Sequence, residues 1–414
     1  MTLKRVVITG LGTINPLGNN IPEFWDNLVK GVSGACPITR FDASKFRTQF
    51  ACEIKDFVAN DHFDRKEVRK MDLYTQYAIV AARQAIKDSG LDAENEDKKR
   101  IGVIWGAGIG GLETFYEENK AYALGDGTPR FSPFFIPKMI ANMAGAMIAM
   151  ENGYRGINLT TVSACASSAH AIVDACNYIR LGKANVVVTG GSEAPITIPG
   201  VGGFCSMKAM SARNDDPKTA SRPFDANRDG FVMGEGSACL ILEEYEHAIA
   251  RGAKIYGEIA GGAGNCDAYH MTIPYSDGAY EVMTAALEDA NMSPDEVDYI
   301  NVHGTATPLG DISEPGAIQK TFGEHAYDLN ISSTKSMTGH LLGAAGALEA
   351  IVCTLAINNS IIPPTINLET IDPELDPKLN FTFNKPQERE INVALSNTFG
   401  FGWHNACVII KKLS

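Results

Sequence analysis

The 414-residue chain has no cysteine pair at C-x-x-C spacing. Its nine cysteines stand singly, at Cys36, Cys52, Cys165, Cys176, Cys205, Cys239, Cys266, Cys353 and Cys407. That spacing argues against a structural zinc module and a thioredoxin-like site. An odd count in a long chain also argues against a disulfide framework, so most of these residues should be small buried hydrophobes. Positive charge is scarce as well. Thirty-six Lys and Arg against 49 Asp and Glu leave a net charge of −13, which speaks against a nucleic-acid partner. No apolar run approaches the ~18–20 residues that span a bilayer. The first ten residues read as a short strand, not as a leader with a cleavage site. A cytoplasmic protein without membrane insertion is the simplest expectation.

What the chain does have is glycine, 40 residues of it, punctuating strands and helices. Val- and Ile-rich segments predict strands over Arg5–Thr9, Ile101–Trp105, Ala184–Thr189, Ala238–Leu242, Tyr299–Val302 and Ala406–Lys411. Helical periodicity falls on Leu73–Ser89, Ala166–Arg180, Tyr280–Ala290 and Gly343–Asn358. The alternation predicts an α/β fold. The two halves also rhyme faintly. Thr161-Val162-Ser163-Ala164-Cys165 leads into one Ala-rich helix, and Ser332 to His340 leads into another. An internal duplication about a pseudo-twofold axis would produce that pattern.

Four segments could carry chemistry, each with a bland alternative. Cys165 precedes a helix whose apolar residues Ile172, Val173, Cys176 and Ile179 share a face. A helix N-terminus favours a thiolate and offers free N–H groups to an oxyanion; otherwise Cys165 is one more core cysteine. His303, in Asn301-Val302-His303-Gly304-Thr305-Ala306-Thr307, follows a strand into a loop of small residues. It is either a satisfied polar residue or a donor beside a narrow ligand. Lys335 and His340 flank a tight segment before a small-residue helix; the alternative is a solvated lysine and a capping histidine. One cysteine and two histidines could together supply a nucleophile and two donors. Asn397-Thr398-Phe399-Gly400-Phe401-Gly402-Trp403 alternates glycine with aromatics, which suits a mobile loop or an aromatic turn. Gly106-Ala107-Gly108-Ile109-Gly110-Gly111 fits a dinucleotide fingerprint, but a second strand ending in an acid does not follow.

Together these motifs resemble the β-ketoacyl-acyl-carrier-protein synthases, the condensing enzymes of fatty-acid synthesis, nearly end to end. The resemblance implies the thiolase fold, with duplicated five-stranded mixed sheets and helices in five layers, pairing as a homodimer. It implies an N-terminal half over residues 1–250 carrying the cysteine and a C-terminal half over 251–414 carrying the histidines. Cys165 would be the acyl acceptor, His303 and His340 its partner histidines, and Lys335 their electrostatic support. Phe401 would be the gate, its N–H joining that of Cys165 in an oxyanion hole. Thr305 and Thr307 match positions that contact the pantetheine arm, and Phe399 lies in the same substrate-binding segment. Ile109 resembles the acyl-pocket isoleucine of the type II enzymes, and Phe134 lies in a segment that reaches the partner's pocket.

The implied reaction is decarboxylative condensation of malonyl-carrier with the acyl group on Cys165, without a redox cofactor or catalytic metal. Asn301, Glu349, Ser396 and Asn397 match residues around a structural monovalent cation, Na+ or K+. Lys66, Arg69, Lys70, Arg130 and Lys208 match a basic surface for the acidic acyl carrier protein. At −13 overall, only a local patch could draw an acidic partner. Trp403 departs from the family, which has glycine there. A polyketide-type ketosynthase shares all these motifs. A non-catalytic chain-length subunit generally lacks the nucleophile, and a thiolase needs a second cysteine in a C-x-G motif that Cys407 does not provide.

Overall fold

In the computed structural model, the described residues are 3–91, 95–271, 275 and 277–413. Ten strands form one hydrogen-bonded ladder: β1 Val6–Ile14, β2 Ile101–Gly106, β3 Asn158–Thr161, β4 Val186–Glu193, β5 Gly236–Glu244, β6 Gly257–Cys266, β7 Tyr299–Asn301, β8 Asn330–Ser332, β9 Val393–Gly400 and β10 His404–Lys411. Their spatial order is β8-β7-β9-β10-β6-β1-β5-β4-β2-β3. Each five-strand set therefore runs third, second, fourth, fifth, first. In each set the first three strands of that series are parallel and the remaining two pairings antiparallel. The sets meet at β1 and β6 through Val7–Glu258 and Ile8–Gly257.

The helices complete five layers. α1 (Leu73–Ser89) and α2 (Leu112–Ala123) come from the first set, with α3 (Met143–Asn152) beside α1. α4 (Ser167–Arg180) and α7 (Ala345–Asn359) pack together in the middle and touch strands of both sets. α5 (Gly278–Ala290) and α6 (Gly310–Phe322) lie on the far side. This is the duplicated, five-layered thiolase arrangement that the resemblance implied. The equivalence reaches single residues. Gly10 of β1 and Gly261 of β6 both lack room for a Cβ against the last turns of α1 and α5. Ala164 and Leu342 each open a single 3₁₀ turn before α4 and α7, with φ +51° and +49°.

Local chemistry accounts for the element ends. Asp72 caps α1, accepting from the Tyr74 N–H at 3.4 Å, and Gly90 closes it at φ +62°. The strands outrun their sequence readings because Gly12 and Gly190 lie inside β1 and β4. A Cβ on Gly12 would stand 2.1 Å from the Ala81 carbonyl oxygen, so glycine there permits packing on α1 and does not mark a turn. One expectation needs correcting. Leu342–Asn359 is long and apolar enough to cross a membrane, but 89% of it is buried inside the protein, where α7 packs on strands of both sets. Its apolar surface belongs to the protein core.

Candidate active site

Strand β3 delivers the chain to the turn Ala164–Ala166, and Cys165 sits on that turn, 9% exposed, just before α4. Left-handed Ala164 makes the bend sharp enough to present the thiol. Across the middle layer, the segment after β8 carries Lys335 in a single helical turn and then His340, ahead of α7. His340 Nε2 lies 3.0 Å from Cys165 Sγ. His303, in the loop after β7, stands edge-on to His340 at 5.2 Å between ring centroids, with Phe399 5.6 Å away on β9. Phe231 supports the other side of His340 at 5.6 Å.

Cys165, His303, His340, Thr305, Thr307, Phe399, Phe401, Trp403 and Lys208 all line one cavity of ≈ 460 Å³. Thr305 Oγ1 and Thr307 Oγ1 are 3.2 Å apart. Gly400 brings the loop against the cysteine turn, since a Cβ there would meet the Ser163 carbonyl at 2.6 Å and the Cys165 nitrogen at 3.1 Å. The Phe401 N–H lies close enough to Cys165 to favour its thiolate form, as do the N–H of Cys165 itself and the Lys335 charge.

Those influences do not win. Burial pushes the Cys165 thiol up to about 12. The helix end and Lys335 favour a thiolate, as the sequence suggests, but desolvation opposes the charge more strongly and the resting group is a thiol. Burial, with the Lys335 charge second, holds both His303 and His340 well below the usual histidine range. Both rings are neutral at neutral pH. Lys335 is 2% exposed, and its ammonium is paired with the Glu349 carboxylate of α7. The bland reading of Lys335 as a solvated lysine is thus excluded.

Other sequence candidates fall elsewhere. Ile109 and Phe134 are 38% and 37% exposed and are not among the residues that line this cavity. The Ile109 N–H donates to buried Glu193 at 3.0 Å. The glycines beside it serve close packing: a Cβ on Gly106 would lie 2.4 Å from the Ser168 nitrogen. Lys66, Arg69, Lys70 and Arg130 are exposed and away from the cavity lining, with Lys70 paired to Glu67 and Arg130 to Asp126. Sequence reasoning missed Glu314, on α6, which accepts from the N–H groups of His303 at 2.9 Å and Gly304 at 3.0 Å. It also missed His170, whose Nδ1 is 2.7 Å from Ser163 Oγ. The Cys165-x-x-x-x-His170 spacing on the helix was the available signal for the latter.

Among the described residues, no cluster of three or more His, Cys, Asp or Glu could hold a metal ion. Oxygen ligands are a separate matter. Asn301 Oδ1, Glu349 Oε2, Ser396 Oγ and Asn397 Oδ1 are all buried without a hydrogen-bond partner. Asn301 and Ser396 pair across β7 and β9. Unsatisfied buried acceptors of this kind fit a bound cation. Asn397 is the weak member, because Asn397 Nδ2 donates to Glu314 at 3.2 Å, on the face of β9 opposite Ser396.

The models of the N-terminal and C-terminal β-ketoacyl synthase domains match residues 3–248 and 256–369. The chain is 50% identical to the 3-oxoacyl-[acyl-carrier-protein] synthase 2 of Synechocystis over 99% of its own length and 98% of that protein. It is 48% identical to the protein of that name in Staphylococcus aureus, with the same coverage. Among solved structures, the ishigamide ketosynthase/chain length factor superposes at TM-score 0.93 with 33% identity, covering 100% of both chains. A type II polyketide acyl-carrier protein in complex with its ketosynthase gives TM-score 0.88 at 33% identity, again over 100% of both chains. With both domain models matched in order across most of its length, the chain belongs to the β-ketoacyl synthase family of condensing enzymes.

Proposed function

We propose that this chain elongates acyl groups by decarboxylative condensation of malonyl-acyl-carrier-protein with an acyl group held on Cys165, the extension step of fatty-acid synthesis. The observation that carries the reading is the 3.0 Å contact of Cys165 Sγ with His340 Nε2, with His303 beside it in one cavity. A buried thiol needs a proton acceptor at the moment of attack, and neutral His340 is within reach. Sulfur attacks the carrier thioester as its proton passes to His340. The oxyanion forms against the N–H groups of Cys165 and Phe401, and the carrier thiol leaves with the proton. Malonyl-carrier then loses carbon dioxide. Its enolate oxygen takes hydrogen bonds from His303 and from His340 in its Nε2–H tautomer, while burial, with the Lys335 charge second, keeps both rings neutral. The enolate carbon attacks the acyl carbonyl, and Cys165 leaves as thiolate and takes up a proton from solvent, its first proton having left with the carrier thiol. Relatives at 48–50% identity named for the fatty-acid enzyme favour that pathway over a polyketide one.

The carrier arm would run past Thr305 and Thr307, and Phe401 would gate the acyl branch. Lys208 at the cavity rim, with Lys66, Arg69, Lys70 and Arg130 farther out, would dock the acidic carrier. A homodimer is the assembly this surface suits. Leu159 and Val162, at the free edge of β3, and Ile109, Phe131, Phe134 and Ile136 are 37–62% exposed, and a second copy would cover them. Ile109 and Phe134 would then complete each other's acyl pockets. We assign the nucleophile to a half spanning 1–250 and the histidines to one spanning 251–414. A monovalent cation held by Asn301, Glu349 and Ser396 would supply structural charge balance only, and no redox cofactor enters the reaction. The nine free cysteines suit a reducing cytoplasm. Intact-mass spectrometry after incubation with acyl-carrier substrate tests the central claim. One acyl adduct, lost in Cys165→Ala, is expected; an adduct that persists in that variant would refute it.

A further inference from the structure

Trp403 lies two residues beyond Phe401, in the tight connection between β9 and β10. Its backbone is left-handed, φ +52°, a region that bulky side chains rarely enter. The side chain is half-buried and lines the Cys165 cavity, yet its indole Nε1 is sealed from solvent without an acceptor. Buried indole N–H groups ordinarily find a partner. Residue 403 is thus penalised twice in this position of the loop.

Two backbone hydrogen bonds hold the loop in place. The Asp267 N–H donates to the Trp403 carbonyl, and the Gly402 N–H to the Met271 carbonyl, both at 3.1 Å. Phe401 itself is lightly held, 37% exposed with its ring 6.2 Å from Phe204. The resting loop is therefore a balance between these bonds and the strain at Trp403.

We propose that Trp403 is a positioning residue that works against the resting loop and favours the displacement of Phe401 that admits acyl chains to Cys165. The inference rests on the condensing reading above. A shift that carries residue 403 out of the left-handed region relieves the backbone and lets the indole N–H reach water or a substrate oxygen. Glycine at 403 bears neither penalty, so it would stabilise the resting loop and hold the gate shut for longer. Simple bulk would have the reverse effect, braking the loop. The two differ in sign.

The test measures Cys165 acylation from pantetheine thioesters of increasing chain length, alongside melting temperature. Trp403→Gly and Trp403→Asn both tolerate the left-handed backbone; Trp403→Phe keeps an aromatic on the strained backbone and removes the N–H donor together with the fused five-membered ring. Gly and Asn should slow acylation by long chains roughly five- to tenfold while raising the melting temperature, with Phe in between. In a Phe401→Ala background, Trp403→Gly should have little further effect. Faster or unchanged acylation in both the Gly and Asn variants would overturn the proposal, as would a lower melting temperature with a uniform loss at every length. A wild-type enzyme that no thioester acylates would instead sink the condensing reading, and the proposal with it.

Discussion

Replacing Lys335 by methionine should destabilise the protein by about 3–5 kcal/mol at neutral pH. The ammonium and the Glu349 carboxylate are paired with side chains only 2% and 4% exposed, and breaking such a pair strands a buried charge. Unfolding entropy of ~2.1 cal/mol/K per residue makes about 0.9 kcal/mol/K for 414 residues. The expected drop in Tm is therefore about 3–6 °C. Its pH dependence identifies the cause. Burial already raises the Glu349 carboxyl to about 7, against the pull of Lys335. Without the lysine it rises further, so the folded state binds a proton that the unfolded state has released. Stability then increases as pH falls toward the unfolded carboxyl range, and the deficit should be widest near pH 8 and narrowest near ~pH 5. Lys335→Met with Glu349→Gln should recover much of the loss, because neither member of the ion pair is then left without the other. Thermal unfolding of the three proteins across pH decides the matter. A pH-independent deficit, or a double variant no more stable than the single, would refute the reasoning.

Three further outcomes are expected. His303 and His340 stay neutral in the fold while unfolded histidines protonate below ~pH 6.5, so their contribution is lost as pH falls, by up to ~1.4 kcal/mol per pH unit each. Denaturant unfolding should show the wild type losing stability relative to His303→Asn/His340→Asn between about pH 6.5 and 5; a flat difference would count against neutral rings. Gly400→Ala drives a Cβ into Ser163 and Cys165 and should slow Cys165 acylation ~10–100-fold, while Gly316→Ala, with open space around it, should not. Charge reversal at Lys66 and Arg69 should slow association with carrier-linked substrates and change its salt dependence but spare pantetheine thioesters; equal losses for both would make the patch structural.

Local signals made parts of the fold readable from sequence. Leu73–Ser89 was legible to the residue because Asp72 and Gly90 mark both of its ends. Arg5–Thr9 was read short because Gly10 and Gly12 look like punctuation, and only the presence of α1 across the strand explains them. Cys165, both histidines and Lys335 were visible as motifs. Their electrostatic state was not, because the helix end that favours a thiolate is a neighbour in sequence, whereas the desolvation that defeats it comes from the whole fold. Glu314 escaped for a related reason: it holds the His303 loop from α6, 11 residues on, without any spacing rule to point to it.

The repeated strand order has a historical consequence. Two copies of one half, meeting edge to edge near Val7 and Glu258, are what a symmetric dimer of a smaller ancestor would form. Within such a dimer every substitution appears twice. Once the copies share a chain, each can change alone. By the match of Ala164 with Leu342, Gly343 is the second copy's counterpart of Cys165. One copy thus holds a cysteine at that turn while the other holds glycine, and it is the segment leading to that glycine that carries Lys335 and His340. A symmetric ancestor could not have divided the labour in this way; fusion made the two sides of the cavity free to become different.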